Sequence, residues 1–175
     1  MKHLLTLIAL FASSLAMATH LIGGEFRYTQ VGEWTYDVEL VVYRDCGPAN
    51  TLGTGFDDQA FIGVWNGLGI IGSNDVVTAA LDYSSIVQLS AVSPDQCSYF
   101  AEGSVCVEKA SYFVTINLPQ SVFGYDLVWQ RCCRSPSVTN MESFGGTLES
   151  GMTIRTHIPG EADGVTGGIN STPEW

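Results

Sequence analysis

Apolar and polar residues alternate with a period of two through most of this chain. In EFRYT (25–29), Phe26 and Tyr28 share one parity. After a VGE turn, WTYDVELVVYRDC puts Trp34, Tyr36, Val38, Leu40 and Val42 on one face and Asp37 and Glu39 on the other. Successive side chains of a strand point to opposite faces, so the pattern predicts a sheet with one packed and one wet side. Further strands are predicted at AFIGVW (60–65), VVTAAL (76–81), SIVQLSAV (85–92), SVCVE, SYFVTINL and YDLVWQRCC, with TLESGMTIRTHI last. In that last strand Met152, Ile154, Thr156 and Ile158 share a face, and His157 points away from it. Turn-forming clusters such as GPANTLGTG, NGLG, GSND, SPDQ and NLPQS punctuate the strands. No segment of useful length carries the period of an amphipathic helix. The expected fold is all-β, an antiparallel β-sandwich, Ig-like in architecture. No cysteine follows a tyrosine by two residues, so the antibody-type tyrosine corner is missing.

The first eighteen residues, MKHLLTLIALFASSLAMA, have the layout of a secretory signal peptide. Lys2 supplies the positive region, Leu4 to Phe11 the apolar region, and Ala16-Met17-Ala18 an A-x-A cleavage site. The apolar run is too short to span a bilayer, and no second run approaches that length, so no membrane insertion is expected after cleavage. Residues 19–175 are read as a single β-sandwich-like domain, secreted or held at the cell surface. The whole chain carries 18 Asp and Glu against 7 Lys and Arg. Losing Lys2 with the leader makes the balance still more acidic. Such a surface has no clustered cations for nucleic acid and repels anionic lipid. Calcium would suit it, but neither GFDDQ (55–59) nor GEADGVTGG (160–168) follows the EF-hand pattern.

Export changes how the five cysteines are read. Cys46, Cys97, Cys106, Cys132 and Cys133 all follow the leader, and an oxidising compartment favours disulfides. No CxxC spacing is present, which disfavours a redox motif or a zinc ribbon, and a zinc site from Cys132, Cys133 and His157 has no spacing to support it. Cys97 and Cys106 bound a short segment with Gly103 inside it, so a bridge there would staple a hairpin. Cys46 ends one strand, and a bridge to Cys132 or Cys133 would tie two strand ends together. Neighbouring residues of a strand face opposite ways, and Cys133 shares parity with Leu127 and Trp129, so Cys133 is favoured. Cys132 is then unpaired, bonded to another chain, or paired downstream.

Chemistry for catalysis is sparse. His20 and His157 are the histidines that follow the leader, and no GxSxG elbow accompanies them. Thr19 would become N-terminal after cleavage, with no motif to make it a nucleophile. Asp57 and Asp58 are adjacent carboxylates in a loop, where neighbours diverge. The expectation is therefore no enzyme and no cofactor. Trp65 precedes NGLG, and Tyr99 and Phe100 sit between cysteines; these are the candidate ligand contacts, with glycans as the ligand class. Arg44, Asp45, Arg131 and Arg134 gather in sequence around the cysteines and are read as a structural charge clasp, with Asp45 accepting from Arg131 or Arg134.

THLIGGEFRY, WTYDVELVVYRDC, CVEKASYFVTINLP, YDLVWQRCCRS and INSTPEW occur in that order along nearly the whole chain after the leader. This set resembles the N-terminal module of large exported surface proteins of the Bacteroidota, of the gliding-motility-associated or adhesin-like kind. The resemblance implies a non-catalytic module with a structural or adhesive role, partnered by other domains of the same polypeptide or by surface proteins. It also implies further β domains downstream, often ending in a sorting domain for type IX secretion, where Cys132 would find its partner. A carbohydrate-binding module is the alternative, and a secreted hydrolase the third reading.

Overall fold

The computed structural model describes residues 21–47, 55–66, 75–89, 106–132 and 151–161. Seven strands run through them: β1 (Leu21–Gly32), β2 (Thr35–Asp45), β3 (Gln59–Asn66), β4 (Asp75–Leu89), β5 (Val107–Asn117), β6 (Tyr125–Arg131) and β7 (Met152–Ile158). They form one antiparallel sheet in the order β1-β2-β5-β4-β3-β6-β7. β3, β4 and β5 follow one another as a meander, β6 returns beside β3, and β2 lies beside β5, which is Greek-key connectivity. The sheet curls until its two edges approach and is nearly closed into a barrel. Across that gap the Tyr28 hydroxyl on β1 donates to the His157 carbonyl on β7 at 3.2 Å.

The expected all-β antiparallel class is what forms. The expected division into two stacked sheets is not how these strands are joined, because all seven lie in one hydrogen-bonded order. A sandwich and a barrel both bury one face of every strand, so their period-two patterns look the same. Only the pairing separates them.

The faces follow the sequence closely. Phe26, Tyr28, Tyr36, Val38, Leu40, Val42, Ile62, Val64, Tyr112, Leu127, Trp129, Met152 and Ile158 are buried in one cluster inside the barrel. Tyr28 and Tyr36 meet edge-to-face with ring centroids 5.9 Å apart. Trp34 joins the cluster from the turn between β1 and β2, at φ 52°. A bulky residue rarely adopts positive φ, and here the buried indole holds it there. Its carbonyl accepts the Leu118 N–H at 2.8 Å, so the turn is tied to the end of β5.

Two pairs of strands predicted separately are continuous. SVCVE and SYFVTINL merge into β5, and VVTAAL and SIVQLSAV merge into β4. In β4 the ladder to β5 shifts between Asp82 and Val87. Ser85 fills the break: its Oγ accepts the Ser111 N–H at 2.8 Å and donates to the Asp82 carbonyl at 2.6 Å. Ser111 is buried, so its amide requires that partner. The predicted strands stop at Leu81 and resume at Ser85, and the bulge lets one strand carry on through the residues between.

Candidate functional site

One end of the barrel gathers most of the unusual chemistry. The C-terminal ends of β2, β4 and β6 and the N-terminal ends of the other four strands meet there, as the antiparallel registers require. Arg44 and Glu108 face each other in the β2–β5 ladder and pair at 2.5 Å. The Arg44 guanidinium also lies 4.7 Å from the Phe56 ring centroid. Both partners have the parity of the inner face, so the pair and Phe56 cap the interior at this end. Tyr112, buried in the same inner face, has its hydroxyl pushed up to about 12 by burial, with the nearby Asp57 carboxylate adding to the effect and Arg131 opposing it. Its electrostatic neighbours place that hydroxyl at the charged end.

Cys46 and Cys106 form a disulfide one rung beyond Asp45 and Val107, with Cα atoms 4.9 Å apart. The Cys46 N–H donates to the Cys106 carbonyl at 2.9 Å, so the bond continues the ladder. This corrects both expected bridges, Cys97 to Cys106 and Cys46 to Cys133. β2 is the neighbour of β5, not of β6, and two cysteines that end adjacent strands at the same level are brought within bonding distance. Cys132 is also disulfide-bonded within these 175 residues, which corrects its reading as unpaired, bonded to another chain or paired further downstream; its partner lies outside the described residues. A thiol so engaged cannot ligate zinc as a thiolate, and among the described residues no group of three metal-binding side chains comes together.

Among the described residues, the members of the expected charge clasp have these partners. Arg44 pairs with Glu108 and Arg131 with Asp57, the latter at 2.7 Å. Asp45 accepts from the Gly47 N–H at 2.8 Å, closing a turn of its own. The expected Asp45–Arg131 contact would need β2 beside β6, and the sheet order puts β5, β4 and β3 between them. Arg134 lies outside the described residues, as do Cys97, Cys133, Tyr99, Phe100, Thr19, His20 and the leader.

Next to the capped end, β3 and β6 part. Their ladder pairs only Gly63–Asn66 with Val128 back to Tyr125. β3 begins four residues earlier, at Gln59, and β6 continues to Arg131, and these stretches have no partner across the seam. A groove of about 510 Å³ opens there, lined by Asp57, Asp58, Gln59, Phe61, Gln130 and Arg131, with Ala60 and buried Trp129 as its floor. Arg131 reaches across to pair with Asp57. Asp58 accepts from the Tyr83 hydroxyl at 2.5 Å, and its carbonyl accepts the Leu81 N–H at 3.0 Å. Each carboxylate therefore has its own partner.

Comparison with protein-family models, with curated proteins and with solved structures found no match.

Trp65 is exposed at 42%, as its place beside a turn predicted. It lies on the outer face, and its Nε1 would be only 2.9 Å from a Cβ on Gly63, so the indole leans back over that glycine. Its cross-strand neighbour Asp126 accepts from Arg155 at 2.7 Å and from His157 Nδ1 at 2.9 Å. Burial raises the Asp126 pKa, and the two hydrogen bonds outweigh it and hold the carboxyl below its ordinary value. His157 points away from the apolar face, as the parity predicted, and is engaged by this carboxylate.

Sequence reasoning passed over Gln59, Phe61 and Gln130. One signal was present: in AFIGVW, Phe61 is a large apolar residue at the parity of the wet face, and it stands 62% exposed. An aromatic at an outward position calls for an explanation that core packing does not supply.

Proposed function

We propose that this chain is a non-catalytic module of an exported surface protein, with a structural or adhesive role. The observation that carries the proposal is the Cys46–Cys106 disulfide, set at the end of a regular ladder with its Cα atoms 4.9 Å apart. Such a bond persists in an oxidising compartment, which agrees with the signal-peptide pattern of residues 1–18. The resemblance to the opening module of large Bacteroidota surface proteins supports the same reading. The barrel adds a mechanical argument. Its interior is filled by side chains and capped at one end, which suits a rigid unit presenting its outer surface.

The test is a blot of cell-surface, medium and cytosolic fractions with an antibody against residues 19–175, run reduced and non-reduced. A surface or medium band whose mobility changes on reduction supports the proposal. A cytosolic band with all thiols free refutes it. Carbohydrate binding is the second reading, favoured by the exposed aromatics Phe61 and Phe113 on the outer face.

A further inference from the structure

We infer that the groove where β3 and β6 part binds an uncharged saccharide, with a pyranose ring stacked on Phe61. The inference rests on the adhesive reading and specifies its ligand. Four observations support it. The groove, about 510 Å³, lies in the range of small-ligand sites, and such sites occur at the mouths of barrels. Its walls offer planar hydrogen-bonding groups, namely the amides of Gln59 and Gln130, the carboxylates of Asp57 and Asp58, and the Arg131 guanidinium. Because the ladder stops at Gly63 and Val128, the strand edges at Gln59–Ile62 and Trp129–Arg131 also turn backbone donors and acceptors toward this seam. A sugar hydroxyl both donates and accepts, so it can use every one of these groups.

The third observation is the ring. Phe61 is held by a strand whose alternate residues Ala60 and Ile62 are buried, so it is exposed yet fixed. The weakly positive C–H face of a pyranose meets the negative face of an aromatic ring, and a rigid ring makes that contact at little entropic cost. The fourth is charge. Arg131 is already paired with Asp57, and Asp58 adds a second carboxylate, in a chain of net charge -11. Uronates and sulfated sugars would meet repulsion there. An unbroken apolar wall, as a lipid or a hydrophobic peptide requires, is not what lines the groove.

The experiment uses the oxidised chain from residue 19 onward on an array of gluco-, manno-, galacto- and chito-oligosaccharides, with oligouronates alongside. The best neutral binder is then titrated by calorimetry against variants. Phe61→Ala weakens binding about tenfold, the size of one lost stacking contact. Gln130→Ala weakens it by a smaller factor, and Phe61→Tyr keeps it. Trp65→Ala, outside the groove, leaves it within about twofold. All three positions are exposed, so far-ultraviolet circular dichroism and a thermal midpoint matching the wild type verify each fold. A blank array overturns the inference, as does preference for uronates, or loss on Trp65→Ala but not on Phe61→Ala. A blank array together with a surface-localised chain removes the saccharide and leaves the adhesive module standing. A cytosolic, reduced chain removes the module reading independently of any array result.

Discussion

Replacing Cys46 and Cys106 together by alanine tests how much of this fold depends on one covalent link. The bond joins residues separated by 60 in sequence. In the chain-entropy model, opening a loop of that length costs the folded state about 4 kcal/mol at 25 °C, by restoring freedom to the unfolded chain. The folded state loses little else. The Cys46 N–H still donates to the Cys106 carbonyl, and the β2–β5 ladder from Asp45–Val107 inward is untouched. Both side chains are half-buried, so a large cavity is not created. Double replacement also avoids an orphan thiol that could attack the disulfide at Cys132. Urea unfolding followed by tryptophan fluorescence is the assay. With an m-value of about 2 kcal/mol/M, the midpoint should fall by about 2 M. A shift under about 0.5 M with unchanged m would refute the reasoning, since it would mean the unfolded chain gains little from losing the bridge. An increase in m would instead point to a denatured state that has expanded, as loop opening requires.

Other substitutions test the packing of the backbone. Gly124 has φ 68°, and a Cβ there would collide with the Ile158 carbonyl and approach the Gly160 nitrogen at 2.7 Å. Gly124→Ala should cost about 3 kcal/mol or more, the left-handed penalty and the overpacking together; a loss under about 1 kcal/mol in urea unfolding would contradict the contact. Gly24→Ala should destabilise by about 1–3 kcal/mol, because its Cβ would strike Ile154 at the β1–β7 gap and lie 2.7 Å from the Val41 carbonyl oxygen. Adding Ile154→Ala should not restore wild-type stability, since the backbone collision remains; full rescue in a double-mutant cycle would be the contrary result. Tyr112 gives a pH signature. Its hydroxyl is raised to about 12 in the folded chain, so its contribution is complete below pH 10, the ordinary tyrosine value, and is lost as pH rises toward 12. Stability of the wild type should fall more steeply above pH 10 than that of Tyr112→Phe, and parallel curves would refute the assignment.

The resolved parts of the sequence reading are those that depend on neighbours along the chain. Tyr36, Val38, Leu40 and Val42 point inward and Asp37 outward because backbone geometry alternates side chains whatever lies across the sheet. The same argument correctly turned His157 away from Met152 and Ile158, and a different local signal, the NGLG that follows it, marked Trp65 as exposed. Where a local signal was broken, between Leu81 and Ser85, the reading split one strand in two, because a bulge satisfied by Ser85 interrupts the pattern until its partner strand is known.

Strand pairing is a different kind of information. Ladder hydrogen bonds join backbone groups that every residue carries, so a strand bears little mark of which other strand it will meet. For that reason the tertiary structure alone decided that seven strands make one curled sheet, and that Cys46 meets Cys106 across β2 and β5. It also decided that Arg131 closes on Asp57, and that β3 and β6 separate beyond Gly63 to leave a groove beneath Phe61. The sequence by itself determined an all-β chain, the inward and outward faces of its strands, and the chemistry available on each. Where those faces meet follows from long-range pairing and from the curl of a twisted sheet, which only the assembled barrel contains.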